Sequence, residues 1–297
     1  MRYRTPHALE MAVKAAAKAS PLDTNLAISS FYFHRLLCRV FSEKDCKFVL
    51  KGGLSVLART VDARATRDID LLAHETKPGA AVEELKRLAS VDLGDFMVFR
   101  FDKAEPIKAD DEYRSGAKVW FTPTLGGKPL QALSIDLVVD EVDGLAPEVL
   151  KPADRLDIDG LPVFDYPIYR VECALADKLL AMLETHNGRP SSRVKDLIDA
   201  VVYAKSCEID STILAERIAK EAAARKVGLP KAFAVPRSWF ENYEASYKKM
   251  AKQAKADDVA PNLESAQELA RKLYAPVFEG HRNHAKWNPD GMQWVEE

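Results

Sequence analysis

The sequence predicts an α+β fold: an N-terminal core over residues 1–150, a mixed sheet flanked by helices, followed by a C-terminal helical bundle over residues 151–297. Two observations carry that division. Short apolar or alternating runs bounded by turn residues fall in the first half: "KFVL", "DIDLLA", "DFMVFRFD", "AKVWFTPTL" and "ALSIDLVVDE". Beyond residue 145 the period changes, and amphipathic helical patterning runs to about residue 275.

Taken in order, "TPHALEMAVKAAAKAS" opens on a Thr-Pro start signal and reads as a first helix. "DTNLAISSFYFHRLLCRVFS" reads as a second, with Leu26, Phe33, Leu37 and Phe41 at helical spacing. "KFVL" is a short buried strand. Gly52 and Gly53 make a turn, and "LSVLARTV" begins another helix. "DIDLLA" is the next strand, and "PGAAVEELKRLAS" is a helix with Val82, Leu85 and Leu88 on one face. The strands "AKVWFTPTL" and "ALSIDLVVDE" flank the turn "TLGGKPLQ" and are expected to form a hairpin. In the second half, "VECALADKLLAMLE", "SSRVKDLIDAVVYAKS", "DSTILAERIAKEAAARKV", "PRSWFENYEASYKKMAKQAKA" and "NLESAQELARKLYAPVF" read as helices, and "EGHRNHAKWNPDGMQWVEE" has no clear period.

Composition narrows the function classes. With 297 residues, 47% of them hydrophobic, the chain can bury a sizeable core. A formal net charge of −2 argues against a general polyanion binder and leaves a local basic groove open. No apolar run approaches membrane-span length and the first residues lack a signal-peptide core, so the expectation is a cytoplasmic protein without a membrane partner. Cys38, Cys46, Cys173 and Cys207 have no metal-ligand spacing and are expected to be reduced and incidental.

The chemistry is concentrated in "KGGLSVLARTVDARATRDIDLLAHE". Residues two apart on a strand share a face, so Asp68 and Asp70 present two carboxylates together. Like charges at that spacing repel unless a cation lies between them, and a hard divalent ion is the usual answer. Asp136 sits in the apolar run "SIDLVVDE"; if its strand neighbours the first, it completes a cluster of three. The plainer reading of Asp-X-Asp is a solvated strand end. Gly52 and Gly53, between a strand and a helix, strengthen the first reading, because such a turn brings backbone N–H groups and a helix N-terminus to a phosphate, and Ser55 can add a hydroxyl. The Gly-Lys-Ser/Thr ending of a Walker loop is absent.

"FVLKGGLSVLA", "ATRDIDLL" and "SIDLVV" resemble the nucleotidyltransferase core shared with DNA polymerase β-type enzymes. "FYFHRLLCRVF", "VECALADKLLAMLE" and "RVKDLIDAVVYA" make the chain similar, more narrowly, to the AbiEii/AbiGii toxin family, over roughly residues 25 to 205. That resemblance implies a nucleotidyltransferase using Mg²⁺ or Mn²⁺ and an NTP, acting as the toxin of a bacterial toxin–antitoxin or phage-defence (abortive infection) pair whose antitoxin is a separate chain. By similarity, Asp68 and Asp70 hold the metal with Asp136 as the third carboxylate, and Gly52, Gly53 and Ser55 contact the nucleotide. Lys178, in "ADKL", and Asp196, in "RVKD", match further catalytic elements, and Arg193 is a phosphate candidate. Thr66 is a nucleotide-side candidate beside its reading as an ordinary strand threonine. Lys178 also reads as a snorkelling surface lysine, and Asp196 with Asp199 as a solvated helix face. Glu172 reads as an interaction with its helix dipole.

Some relatives act on the acceptor end of tRNA, so an RNA acceptor, a tRNA 3′ end above all, is the leading expectation. Lys248, Lys252 and Lys255, with Lys249 and Tyr247, form one candidate basic stripe, extended by Arg225, Lys226 and Lys231. Trp287 and Trp294, with His281 and His284, are read as anchors of the tail rather than stacking groups. The alternatives are transfer to a protein side chain and a non-catalytic nucleotide- or antitoxin-binding module.

Overall fold

The computed structural model describes residues 3–64, 66, 68–74, 77–107, 114–140, 145–186, 188–229, 231–278 and 284–296. The chain divides into two compact units. The first comprises Met1–Val61, Thr66–Glu141 and Pro147–Tyr169; the second comprises Asp62–Ala65, Val142–Ala146 and Arg170–Glu297. The main change of unit therefore falls at Tyr169, and two short earlier segments belong to the second unit.

The first unit runs α1 (Pro6–Ala19), α2 (Thr24–Val40), β1 (Phe48–Lys51), α3 (Gly52–Arg59), β2 (Ile69–His74), α4 (Pro78–Ala89), β3 (Met97–Pro106), β4 (Arg114–Leu125), β5 (Lys128–Pro129), β6 (Leu133–Asp140), β7 (Glu148–Leu150) and β8 (Tyr166–Ile168). Side chains cap the first two helices. Thr5 Oγ1 accepts the Ala8 N–H at α1, and Asp23 accepts the Asn25 and Leu26 N–H groups at α2. The strands form one mixed sheet of order β3-β4-β6-β2-β1-β8-β7, with β5 folded back on β4. β2 and β6 are parallel neighbours, whereas β1–β2, β3–β4 and β4–β6 are antiparallel.

Alternation decides which face of the sheet is core. On β4 and β6, Val119, Phe121, Leu133, Ile135 and Leu137 are buried, and α4 packs on these strands and on β3 with Ala81, Val82, Leu85 and Leu88. The intervening residues Lys118, Trp120, Ser134 and Asp136 point to the other face and remain partly exposed. α2 is pinned to the start of β3 by Asp95, which accepts from Arg35 Nε at 2.6 Å and Arg39 Nη2 at 2.6 Å in the core.

The second unit runs α5 (Val171–Leu183), β9 (Thr185–His186), β10 (Arg189–Pro190), α6 (Val194–Ser206), β11 (Ile209–Asp210), α7 (Ser211–Arg225), α8 (Arg237–Asn242), α9 (Glu244–Gln253), α10 (Leu263–Phe278), β12 (Ala285–Asn288) and β13 (Gln293–Glu296). It is mainly helical but holds more strand than its sequence suggests. The aperiodic tail contributes a β12–β13 hairpin that pairs with β11. Trp287 is buried, its Nε1 donating to the Ala204 carbonyl at 2.7 Å, and Trp294 Nε1 donates to the Lys272 carbonyl at 3.0 Å. The stretch expected as one helix from "PRSWFENYEASYKKMAKQAKA" breaks at Tyr243 into α8 and α9. Among the described residues, no helix is long and apolar enough to cross a membrane. The four cysteines form no disulfide among the described residues, and burial pushes the Cys46 and Cys173 thiols up to about 11.

Candidate active site

The glycines form the first turn of α3, directly after the buried strand β1. Lys51 is the N-cap and offers no side-chain hydrogen bond to the helix. Gly52 has φ +67°, the left-handed region that glycine adopts without cost. A Cβ at this position would lie 1.8 Å from Asp70 Oδ2. The missing side chain is thus what allows the Asp70 carboxylate to lie against the start of α3. Gly53 is buried in the same turn. Ser55 is also fully buried, and its Oγ donates to the Gly52 carbonyl at 2.8 Å, stiffening the turn.

Register brings the carboxylates together. Asp70 on β2 is paired with Asp136 on the parallel neighbour β6, and both are half-buried on the same open face. Asp68, just before β2, is exposed and accepts from Ser134 Oγ at 3.3 Å. Thr66 is half-buried in the approach to β2.

Two lysines given no role from the sequence flank this cluster. Lys118 on β4 is opposite Asp136, with Nζ 3.1 Å from Oδ1. Partial burial works to lower the Lys118 pKa. The contact with Asp136, with Asp68 and Asp70 behind it, outweighs that burial and holds the ammonium above the ordinary lysine value. Lys51 on β1 is opposite Asp70 and places its Nζ 4.7 Å from the centre of the Tyr169 ring.

The donor set suits a hard divalent cation, since it consists of carboxylate oxygens alone. Asp136 Oδ1 is closed to solvent and lies 3.1 Å from the Lys118 ammonium, a cationic partner whose place a divalent ion would take. Among the described residues, no three acidic, histidine or cysteine groups already stand in a metal-binding arrangement. Asp68 and Asp70 are the residues that would hold such an ion, and Mg²⁺ commonly takes only one or two carboxylates.

The second unit has its own cluster. Lys178 Nζ on α5 donates to Asp199 Oδ2 at 2.7 Å and Asp196 Oδ1 at 3.2 Å, both one turn apart on α6. Arg64 binds Asp199 bidentately, at 2.8 and 3.0 Å, and Arg193 Nε donates to Asp196 Oδ2 at 2.6 Å. Lys178, Asp196 and Asp199 are all buried, so neither a snorkelling lysine nor a solvated helix face describes them. Burial opposes the Lys178 charge, but Asp199 and Asp196 overcome it and hold the pKa above the ordinary value. Burial likewise opposes the Asp199 carboxylate, and Lys178 and Arg64 hold its pKa below the usual range. Arg64 and Asp199 were missed as partners because their juxtaposition depends on tertiary folding, not on spacing.

Part of the candidate basic stripe is committed elsewhere. Arg225 is buried against Asp177, Glu184 and Glu221 and leaves the stripe. Lys255 pairs with Asp62 at 2.7 Å and Lys248 with Glu244 at 3.0 Å, while Tyr247 is fully buried. Lys249 and Lys252 are exposed. Glu172 is buried, ion-paired to Arg170 at 3.2 Å and accepting the Asp210 N–H. His281 lies outside the described residues.

Comparison with curated proteins gives no match. Among solved structures, MenT4, a nucleotidyltransferase toxin from Mycobacterium tuberculosis, is similar in fold at 16% identity, with a TM-score of 0.50 over 93% of this chain and 99% of that one. JHP933 from Helicobacter pylori matches at 16% identity and a TM-score of 0.46, over 86% of this chain and 94% of that one. The family model for the nucleotidyl transferase AbiEii toxin of type IV toxin–antitoxin systems matches residues 35–275. With its mixed sheet and flanking helices, the chain belongs to the AbiEii toxin family and is a nucleotidyltransferase.

Proposed function

We propose that the protein transfers a nucleoside monophosphate from an NTP to a hydroxyl at an RNA end, with the 3′ end of tRNA as the leading acceptor. Asp68 and Asp70 would hold Mg²⁺ or Mn²⁺, with Asp136 as the third carboxylate. The observation that carries the reading is the in-register placement of Asp70 beside Asp136, with Asp70 seated against the glycine start of α3. That arrangement supports a triphosphate at the α3 N-terminus next to the groups that govern its reaction.

In the reaction, the acceptor oxygen attacks the α-phosphorus and the bond to the β-phosphate bridging oxygen breaks. Pyrophosphate leaves, and the acceptor proton passes to a carboxylate, for which Asp136 is our assignment. The divalent ion, when bound, supplies charge neutralisation at the transferring phosphoryl group. Lys118 orients Asp136 through its ion pair, and Gly52 fixes the position of Asp70. Most of the acceleration then comes from alignment and electrostatics. The resemblance supports phosphate-side roles for Gly53, Ser55, Thr66 and Arg193, and catalytic roles for Lys178 and Asp196. Their variants are to be assayed for transfer alongside thermal stability, because Lys178 and Asp196 are also buried ion-pair partners.

The same reading makes the protein a cytoplasmic toxin of a phage-defence pair, its antitoxin a separate chain. Incubation with each α-phosphate-labelled NTP, Mg²⁺ and total tRNA tests it. Label on RNA is the expected result. Label on protein would transfer the chemistry to a side-chain acceptor, and nucleotide binding without transfer from any NTP would leave only a binding module.

A further inference from the structure

The open sheet face does not end at the carboxylates. The strand order β2-β6-β4-β3 carries it from Asp70 through Asp136 and Ser134 to Lys118 and Trp120, and on to β3. Trp120 is opposite Ser134, the residue that hydrogen-bonds Asp68. Its ring is half-buried on the solvent side, although the neighbouring Val119 and Phe121 supply the core. A register shift between Phe101 and Lys103 turns Lys103 toward Trp120, with Nζ 4.4 Å from the ring centre. Lys103 is exposed and shared with Glu105 at 2.7 Å, and Arg100, farther along β3, is exposed and shared with Asp102 at 3.3 Å.

We propose that this face is the acceptor platform, on which Trp120 stacks a base of a single-stranded RNA end while Lys103 and Lys118 meet its phosphates. The inference rests on the transferase reading above and names the acceptor side of that same site. Its geometry follows from the sheet. The α3 start lies on the β1–β2 side of the carboxylates, so a triphosphate there leaves the β6–β4 side for the acceptor. Adjacent strands are about 4.8 Å apart, so Trp120 stands roughly 10 Å across the sheet from the Asp70 strand, about one nucleotide's reach. An aromatic face accepts any base, and the ammonium now over the ring would exchange Glu105 for a phosphate. The mixed acids and bases on β3 give little general attraction for polyanions, which leaves stacking as the main source of affinity.

The test is binding of a labelled single-stranded RNA oligomer with a free 3′ hydroxyl to wild-type, Trp120→Ala and Trp120→Phe proteins, with NTP binding measured in parallel. Trp120→Ala is expected to raise the RNA Kd about tenfold. Trp120→Phe should recover most of the affinity, and all three proteins should bind NTP alike. Unchanged RNA affinity in Trp120→Ala overturns the platform, as does parallel loss of RNA and NTP binding in both variants, which marks a structural residue. A wild-type protein that does not bind the oligomer but labels a protein also overturns it. Trp120-dependent RNA binding without nucleotidyl transfer would instead sink the transferase reading and leave the platform standing.

Discussion

The carboxylate cluster of the first unit lies on an open sheet face, whereas the lysine–aspartate cluster of the second is buried. Asp68 is exposed and Asp70 and Asp136 are half-buried, with Lys118 in ionic contact. Lys178, Asp196 and Asp199 are withdrawn from water and matched by Arg64 and Arg193. A buried ionic group that loses one partner strands the other, so this cluster cannot readily spare a member. Carboxylates in contact with water tolerate one another more easily and can exchange a lysine for a cation or a phosphate. The difference suggests that the first cluster is built to change partners and the second to hold them.

Asp199→Ala should expose the contrast most sharply. It leaves Lys178 and Arg64 without their shared counter-charge and should cost about 3–5 kcal/mol of stability, read from thermal or urea unfolding. A loss below about 1 kcal/mol would place the cluster with ordinary surface pairs.

Gly52→Ala attacks the other side of the comparison. The new Cβ would drive Asp70 from its place, and the left-handed backbone would cost about 1–2 kcal/mol. Transfer should fall about a hundredfold, well beyond any effect of that stability loss. Transfer at the wild-type rate would mean that the seat of Asp70 is not needed.

The buried cluster also has a pH signature. The folded pKa of Asp199 is lowered, so its contribution is present above the unfolded value of about 3.9 and is lost as pH falls through the lower folded value. The pKa of Lys178 is raised, so its contribution is complete below the unfolded value of about 10.4 and is lost as pH rises through the higher folded value. The cluster should therefore leave stability flat from about pH 5 to 9. Melting temperature should drop on acidification below about pH 4, less steeply in Asp199→Asn. An equal slope in that variant would contradict the assignment.

Lys248→Ala is the reference for an exposed pair. Removing its i,i+4 partner from Glu244 should change stability by about 0.5 kcal/mol or less by the same unfolding measurement. A larger loss would blur the distinction between the two kinds of ion pair.

Local signals made part of this legible in the sequence. The Thr-Pro signal announced the helix that Thr5 caps, and the apolar runs holding Val119, Phe121, Ile135 and Leu137 marked strands. Glycine followed by Asp-X-Asp drew attention to a stretch whose two ends meet where Asp70 lies against Gly52. Lys118 and Lys51 were not legible because a lysine in a strand carries no pattern of its own; only cross-strand register sets them opposite Asp136 and Asp70. The role of Gly52 as the seat of Asp70 likewise depends on a contact between elements. The break at Tyr243 and the tail hairpin escaped for a related reason. Helical propensity continues through the first, and the second is stabilised by pairing with β11 and by the burial of Trp287.

Asp70→Asn tests the central claim most directly, because it keeps the shape of the side chain and removes its charge. Transfer of α-phosphate label from NTP to RNA should fall about a thousandfold, while the melting temperature and RNA binding stay close to wild type. Full transfer by this variant would contradict the assignment of the chemistry to the open carboxylate face.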